Sequence, residues 1–421
     1  MDSKTFLKSK TALVYDYGSH IEIASRLGRD FGKVYYYVHV QDSVPRAENV
    51  ISGAGFPGIT VIEDFFDYVD KADCIIFPDN LCSDISEFLK SKGYPVIGGG
   101  KAEFMENDRQ TMRKLQGKLG LRVQKTLYVH GFSNLIKEIK DLENKYIKVN
   151  KFRGDMTTFF YKNYEQSLYH LNKLEGDLGG TKEMIDFIVE DKLGGGDTVE
   201  VGVDGFMNGG DLVSPTLYGY ISDDWCCIEK ACDYDSLPKQ LIEVQEKLKP
   251  VFKKFDTRSF WGDEIRVLGK DEFYLTDPCV RTGDPSACAI NTEMILNYSE
   301  FMYGLAHGIK VKPIMRAKYA FSVTIESEHT KKRWFTVRIP ENKKQFVKVY
   351  RGMKEGENYQ IPIESSFVLT VIGFGDTPEA ALEDCKKNSE GIEGMDVKVS
   401  FEGFDDLKKK MEAGKKLGVN F

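Results

Sequence analysis

The chain has 421 residues, 41% of them hydrophobic and 29% charged, which is typical of a globular protein with about two to four domains. Its net charge of −7 argues against a general nucleic-acid or membrane-surface binder. No apolar run approaches the roughly 20 residues of a membrane helix, and the first residues lack the apolar core of a signal peptide.

Residues 11–100 alternate strand patterns with helix patterns. We predict strands at "TALVYDYG", "KVYYYVHV", "ADCIIFPDN" and "YPVIGG", and helices at "HIEIASRLGRDFG" and "CSDISEFLKSKG". Strands separated by helices favour a parallel sheet whose site lies at the carboxyl ends of its strands. The N-terminal part is therefore predicted to be a Rossmann-like domain.

The middle of the chain mixes both kinds of element. One helical stretch is expected over 101–120, followed by strand, helix, strand, turn and strand in a small α+β unit that ends near Glu190. Antiparallel strands then surround "LGGGD". A long helix is predicted over 237–256, then a hairpin turning at "GKD", then one helix, "SACAINTEMILNYSEFMYGLAHG", which stops at Gly308.

From Lys310 the pattern changes to alternating strands, including "KYAFSVTIES", "RWFTVRIP", "FVKVYRG" and "SFVLTVIGFG". A helix follows, with Thr377 as its N-cap and Pro378 at its first position. We therefore expect a separate, mostly β domain at the C-terminus. The predicted fold class is multidomain, combining α/β and α+β parts.

Eight cysteines are scattered along the chain, and none has the spacing of a CxxC pair or a zinc site. Reduced thiols in a cytoplasmic protein are the expectation.

A loop rich in charge and proline, "DPCVRTGDPSA", follows the predicted strand "DEFYLTD". Pro278 and Pro285 end regular structure and Gly283 permits unusual backbone angles, so the loop has a defined shape. An acid at a strand end suits a metal ion or an anion site. The alternative is a surface turn with solvated charges.

Charged residues at strand ends and turns recur in a set order along the chain. A cation in a helix comes first, then a cation before a glycine turn, an acidic hinge, an acidic strand and finally acid-x-x-x-Arg. The residues are Arg109, Lys148, Glu190, Asp191, Asp263, Glu264, Arg266, Asp277, Arg281 and Asp284. This order and the element pattern resemble the ATP-grasp superfamily, and more narrowly phosphoribosylamine–glycine ligase (glycinamide ribonucleotide synthetase).

The likeness extends in patches over nearly the whole chain, and its most specific parts are the Gly-Asp-Pro loop and "FVLTVIGFGDTPEAALEDC". It implies a Rossmann-like substrate domain over 1–100 and a first ATP-grasp lobe with a linker helix over 101–190. It also implies a second lobe with a metal site over 191–309 and a β-rich domain over 310–421 that helps to close the site.

The resemblance implies roles for individual residues. Glu264 and Asp277 would bind Mg²⁺, with Mn²⁺ as an alternative ion, and these two acids and Arg281 would act in catalysis. Gly18, Ser19 and Asp284 would contact the substrates. ATP would be bound by a larger set: Arg109, Lys148, Arg153, Gly154, Glu190, Asp191, Leu193 and Asp197.

These residue types suit ATP-dependent activation of a carboxylate. The γ-phosphoryl group passes to the carboxylate, and an amine then displaces phosphate. Cations and Mg²⁺ must meet the negative charge on the phosphoryl oxygens. Mg²⁺ prefers carboxylate oxygens, and an arginine offers phosphate a planar fork of donors. The expected partners are small-molecule carboxylate and amine substrates, bound by a monomer or homodimer.

The sequence departs from the family pattern at three places, and the third, the turn after the first strand, indicates a changed amine substrate. Cys279 stands where an asparagine is usual and is a poor ligand for Mg²⁺. The segment "FRGDMTTFF" keeps a single glycine, and "DYGSHIEIA" replaces the usual phosphate-binding turn and lacks its cation. Gly18 and Ser19 could still present backbone N–H groups. The alternatives are a catalytically degenerate nucleotide-binding or interaction protein and a structural role without nucleotide.

Overall fold

A computed structural model describes residues 3–39, 52–151, 158–195, 198–222, 225–363 and 367–421. Within these ranges, no helix has both the length and the apolar character needed to cross a membrane. All eight cysteines are free thiols.

The N-terminal part is a five-stranded sheet in the order β3-β2-β1-β4-β5, with every pair parallel. This confirms the predicted Rossmann-like sheet. The order reverses at β1, so the loops after β1 and β4 flank a crevice at the carboxyl edge. The elements are α1 (Ser3–Leu7), β1 (Thr11–Asp16), α2 (Ile21–Leu27), β2 (Lys33–Val38), β3 (Thr60–Ile62), α3 (Phe66–Val69), β4 (Cys74–Ile76), α4 (Ser83–Ser91) and β5 (Val96–Ile97).

The next part carries an antiparallel sheet in the order β6-β9-β7-β8. The single helix expected over 101–120 is wrong: the chain breaks at Asp108, whose carboxylate accepts the Thr111 N–H (3.0 Å) and caps a new helix. The elements are a 3₁₀ helix (Gly100–Glu103), α5 (Phe104–Asn107), α6 (Arg109–Lys118), β6 (Thr126–His130), α7 (Phe132–Ile139), β7 (Lys145–Val149), β8 (Thr158–Tyr161), α8 (Leu168–Leu178), a 3₁₀ helix (Gly179–Met184) and β9 (Asp186–Asp191).

Residues 199–306 confirm the long helix and the hairpin turning at "GKD". The elements are β10 (Val199–Asn208), β11 (Asp211–Leu212), β12 (Thr216–Ile221), β13 (Cys226–Cys232), a 3₁₀ helix (Tyr234–Ser236), α9 (Lys239–Phe255), β14 (Arg258–Gly269), β15 (Glu272–Cys279), α10 (Ser286–Met294) and α11 (Tyr298–Ala306). The one helix predicted after the hairpin is wrong. It breaks into α10 and α11 because the Leu296 N–H bonds Ile314 O (2.8 Å) instead of a helical carbonyl.

The last part confirms the alternating strands and the Thr377 cap, whose hydroxyl accepts the Ala380 N–H at 3.2 Å. The elements are β16 (Tyr319–Glu326), β17 (Phe335–Arg338), a 3₁₀ helix (Glu341–Lys343), β18 (Val347–Val349), β19 (Met353–Glu355), β20 (Asn358–Ile361), β21 (Phe367–Gly375), α12 (Pro378–Ser389), β22 (Glu393–Gly394) and α13 (Gly403–Lys416).

A large antiparallel sheet has the strand order β15-β14-β10-β12-β13-β16-β21-β18, with β11 paired to β10. This sheet contains strands from both sides of residue 310, the predicted start of the C-terminal domain, because β13 pairs with β16. A smaller sheet follows the order β19-β20-β17-β22. The main hydrophobic core includes Phe252 of α9 against Trp261 of β14, and it extends into the C-terminal strands. The four domain boundaries stay predictions.

Candidate functional site

The turn after β1 is built around Asp16, the last residue of that strand. Asp16 is fully buried, and its Oδ2 accepts the backbone N–H groups of Gly18 (3.0 Å), Ser19 (2.8 Å) and His20 (2.9 Å). Gly18 has a φ of +83°, which suits glycine. The N–H groups through which Gly18 and Ser19 were expected to meet a substrate anion are thus occupied by the protein's own carboxylate.

His20 joins this turn to the Gly-Asp-Pro loop. It is fully buried, with Nδ1 at 2.6 Å from Asp16 Oδ1 and Nε2 at 2.6 Å from Asp284 Oδ1. Although burial alone would lower the pKa of His20, the two carboxylates raise it well above the usual value. Each ring nitrogen thus lies within hydrogen-bond distance of a carboxylate oxygen, an arrangement that favours the protonated ring.

Arg281 is held in the same loop by an acid from α5. Its Nε lies 2.8 Å from Glu106 Oε1, and its Nη1 donates to Thr282 O at 2.9 Å and lies 3.6 Å from Asp284 Oδ2. Only 14% of the Arg281 side chain is exposed. The guanidinium is thus pre-oriented by two carboxylates.

Gly283 leaves room for an acid from the neighbouring sheet. A Cβ at this position would lie 2.9 Å from Asp204 Oδ1 and 2.9 Å from Ala287 Cβ. Burial raises the pKa of Glu229, the neighbour of Asp204 in β13, and both burial and Asp263 raise the pKa of Asp204. The loop therefore packs directly on Asp204, an acid that sequence reasoning missed.

Replacing Gly283 with alanine is expected to lower the free energy of unfolding by roughly 1–3 kcal/mol, because the new methyl group would meet Asp204 and Ala287. Denaturant unfolding measures the change. Gly176→Ala in α8 is the matched control: a Cβ there meets nothing within 4 Å, so stability should rise by roughly 0.5–1 kcal/mol. Equal effects at both glycines would contradict the packing argument.

The predicted metal ligands, Glu264 and Asp277, are direct partners across the β14–β15 hairpin. Opposed residues of a regular antiparallel pair project from the same face with Cβ atoms about 4.5–5.5 Å apart, but the register here shifts between Glu264 and Ile265, so joint binding of Mg²⁺ by the two carboxylates stays a prediction. Cys279 follows two residues later on that face. Burial, with nearby Glu106 and Asp277, raises the pKa of its thiol well above the usual value, so Cys279 stays neutral.

Lys148 and Glu190, predicted as nucleotide ligands, lie on neighbouring strands with Lys148 Nζ at 3.2 Å from Glu190 Oε2. Glu190 is fully buried, and Arg113 Nε donates to its Oε1 at 2.6 Å. Arg113 also donates to Thr276 O (3.0 Å), beside Asp277. Arg113, which the sequence analysis missed, therefore links the Lys148–Glu190 pair to the β14–β15 hairpin.

The structure describes three of the six remaining predicted ATP ligands. Arg109 begins α6, is buried and donates from Nη1 to Val149 O (2.7 Å). Asp191 pairs with Lys145, and Leu193 is half-buried. Arg153, Gly154 and Asp197 lie outside the described residues.

Glu190→Gln is expected to destabilise the fold near neutral pH. Burial alone would raise the pKa of Glu190, but Arg113 and Lys148 lower it from 4.5 to about 2. A carboxyl group whose pKa is lower in the folded state stabilises the fold at pH values above its unfolded pKa, and this stabilisation is lost as the pH falls through its folded pKa. For Glu190 the stabilisation is roughly 3 kcal/mol. The difference in unfolding free energy between wild type and Glu190→Gln should shrink between pH 4.5 and about 2.

Denaturant titrations across that window check this, with Glu383→Gln as the control because its side chain is 59% exposed beside Lys386. A pH-independent difference for Glu190→Gln would contradict the ion-pair argument.

Some of the missed residues had detectable signals. Arg113 lies four positions after Arg109, so both share one helix face, and Asp16 is an acid at a strand end like Asp277. Glu106 and Arg351 had none, because their partners are far away in sequence: Glu106 meets Arg281, and Arg351 Nε donates to Ser19 Oγ at 3.0 Å. His20 and Arg351 also supply the positive charge that the sequence analysis found missing from this turn.

Comparisons with known proteins find similarity in structure. No protein-family model and no curated protein matches the sequence. Phosphoribosylamine–glycine ligase from Thermotoga maritima superposes with a TM-score of 0.65 at 16% identity, covering 92% of this chain and 98% of that chain. The biotin carboxylase domain of Hydrogenobacter thermophilus 2-oxoglutarate carboxylase, solved with MgADP, gives 0.66 at 14% identity, covering 97% and 98%.

An L-amino acid ligase from Bacillus licheniformis is also similar, with a TM-score of 0.60 at 10% identity over 94% of this chain and 99% of that one. These structural relatives are ATP-grasp enzymes, and each is matched over nearly its whole length. At such low identities the match is one of architecture. The protein described here has the multidomain ATP-grasp fold.

Proposed function

We propose that this protein is an ATP- and Mg²⁺-dependent ligase that joins a carboxylate to an amine through an acyl phosphate. The observation that carries the proposal is the convergence on α5 and α6: Glu106 holds Arg281, and Arg113 joins Glu190 to the Thr276 carbonyl. The strand that carries Lys148, the β14–β15 hairpin and the loop that carries Arg281 are therefore held together. The fold shared with ATP-grasp ligases supports the same conclusion.

In this proposal Lys148 and Arg109 bind ATP, with the chain from Glu190 to Leu193 beside the adenine. Arg153, Gly154 and Asp197, which lie outside the described residues, stay predicted ligands of ATP. Bound Mg²⁺, or Mn²⁺ in its place, neutralises phosphate charge and would be held by Glu264 and Asp277.

In this proposal Arg281 binds the γ-phosphoryl group while it is transferred from ATP to the carboxylate. A substrate carboxylate oxygen attacks the γ-phosphorus, the bond to the bridging oxygen breaks, and ADP leaves. An amine nitrogen then attacks the acyl carbon, the carbon–oxygen bond to phosphate breaks with its electron pair, and the nitrogen loses a proton. A planar guanidinium held by Glu106 meets the phosphoryl charge without reorganising.

The test is ADP release from MgATP with pairs of carboxylates and amines, repeated with Mn²⁺. With a carboxylate alone, hydroxylamine should trap the acyl phosphate as a hydroxamate. Tight MgATP binding without ADP release or hydroxamate across the panel would contradict the proposal and support the alternative, a catalytically degenerate nucleotide-binding protein. We further propose a cytoplasmic protein that acts as a monomer or homodimer.

A further inference from the structure

A group of cations surrounds one buried acid at the C-terminal end of α10, at the other end of that helix from the loop that carries Arg281. We propose that this group, the Glu293 cluster of Arg29, Arg316, Lys348 and Glu293, binds a small oxyanion of the phosphate class. The inference goes beyond the proposed ligase reaction and does not depend on it. Its support is the charge balance of the cluster, the unused donors of its arginines and its position in the fold.

The charge balance is uneven because three cations share one carboxylate. Glu293 is 1% exposed, with Oε1 at 2.6 Å from Lys348 Nζ and 2.8 Å from Arg29 Nη2. Its Oε2 lies 3.6 Å from Arg316 Nη2. Within the described part of the chain, none of the three cations forms an ion pair with a second acid. Burial lowers the pKa of Lys348 although Glu293 opposes this shift, as expected where positive charge is only partly compensated.

Other charged groups nearby leave the excess in place. Arg26 has an acid of its own, Asp30, at 2.6 Å. Glu22 faces the buried lysine, but burial raises its pKa to about 7, so only part of its negative charge is present at neutral pH. Asp384 faces Arg316 without forming an ion pair and accepts a backbone N–H at 2.9 Å. The Glu293 cluster therefore stays positive, in a chain whose net charge is −7.

The two arginines keep donors that a further acceptor could use. Arg29 contacts Glu293 through Nη2, and its Nε and Nη1 meet no acceptor among the residues that the structure describes. Arg316 uses Nε for the Glu293 carbonyl (2.7 Å) and Nη2 for the carboxylate, which leaves Nη1. Their side chains are 39% and 28% exposed, so solvent reaches both. Because guanidinium groups suit phosphate oxygens and these two contact the same carboxylate, one tetrahedral anion can bridge them.

The less exposed arginine is already held in place before an anion binds. The guanidinium carbon of Arg316 lies 5.8 Å from the ring centre of Phe346 and 5.4 Å from that of Phe374. Gln345 Nε2 donates to Glu293 Oε2 at 2.8 Å and fixes the carboxylate beside it. Little ordering of side chains is thus required on binding, which favours affinity.

The cluster is separate from the proposed site of phosphoryl transfer. Glu293 is the last residue but one of α10, which begins directly after the Gly-Asp-Pro loop. At 1.5 Å per residue, roughly 12 Å of helix separates the cluster from that loop. Arg29 follows α2 in the N-terminal part and Arg316 precedes β16 in the C-terminal part, so a bound anion would connect the two parts.

Calorimetric titration of the full chain with inorganic phosphate tests the inference, without nucleotide and with Mg²⁺ and a saturating non-hydrolysable ATP analogue. We expect phosphate to bind in both conditions with a Kd of about 1 mM or lower. Arg29→Gln should weaken this binding roughly tenfold, or one unit of log Kd. Arg338→Gln, 60% exposed beside Glu393, is the matched control and should bind like wild type. Glycerol 3-phosphate in parallel shows whether a phosphate ester or the free ion binds more tightly.

Glu293→Gln separates an anion site from an ion-pair network that only holds the fold. Glutamine removes the carboxylate that competes for the same cations, so phosphate should bind roughly tenfold more tightly. If this variant does not fold, Arg29→Gln decides. A wild-type Kd above about 10 mM, equal affinity in wild type and Arg29→Gln, or binding that the ATP analogue abolishes would each overturn the inference. Weaker phosphate binding by folded Glu293→Gln would do so too.

Discussion

Arg281→Ala is expected to lower kcat for ADP formation by roughly 100- to 1,000-fold, the loss typical when one pre-oriented charge-stabilising donor is removed. The reason is geometric. Glu106 and Asp284 hold the guanidinium in place before substrate binds, and 14% exposure keeps it from water. Steady-state kinetics with a carboxylate and amine identified in the panel measure the effect. KM for ATP should change much less than kcat, because the charge develops in the transition state.

Arg281→Lys separates charge from shape, because lysine keeps the charge but loses the planar fork. It should recover only a small part of the activity. Glu106→Gln keeps Arg281 but removes one of its anchors, so an intermediate loss of kcat is expected. Arg338→Ala is the control, since that side chain is 60% exposed beside Glu393. Wild-type kcat in Arg281→Ala would remove Arg281 from the proposed mechanism.

Local pattern predicted most of the fold. The strands of the parallel sheet, the helix over Lys239–Phe255, the β14–β15 hairpin and the Thr377 cap all carry their signals within a few residues of sequence. The errors include breaks within predicted helices, and the helices α8 and α13 were not predicted. Leu296 leaves the helical path because its N–H finds Ile314 O, a partner that periodicity alone does not reveal.

Local sequence pattern likewise predicted only part of the candidate site. The turn predicted the hairpin that carries Glu264 and Asp277, although its register shifts twice between the turn and this pair, and Lys148 and Glu190 lie on neighbouring strands. The partners that set charge and orientation come from distant parts of the chain. His20 bridges to Asp284 across 264 positions of sequence, and no local pattern encodes that contact.

The occupied turn illustrates why residue identity alone misleads. Gly18 and Ser19 follow a strand and precede a helix, a pattern that suits anion binding. The same N–H groups are satisfied internally once Asp16 folds back over them, a rotamer choice that the sequence does not specify. The contribution of these two residues to substrate binding is therefore limited to other atoms, such as the Ser19 hydroxyl.

Asp277→Asn is expected to raise the Mg²⁺ concentration for half-maximal activity and to lower kcat by roughly 100-fold, equivalent to about 2.7 kcal/mol of lost charge stabilisation. Asparagine preserves shape but removes the negative charge that Mg²⁺ prefers. Cys279, two residues after Asp277 on the same strand, is a soft and poor ligand for Mg²⁺, so it offers no compensation. Glu264→Gln should act in the same direction, and the double variant should lose less than the sum of both, since the two acids would share one ion.

Asp271→Asn tests whether the effect belongs to the site or to the hairpin. Asp271 lies in the turn between β14 and β15 with its side chain 85% exposed, so its loss should leave Mg²⁺ dependence unchanged. Magnesium titrations of ADP release, with Mn²⁺ in parallel, compare the variants. Full additivity of Asp277→Asn and Glu264→Gln would mean that the two carboxylates act on separate groups. Unchanged Mg²⁺ dependence in both would place the metal elsewhere in the cleft.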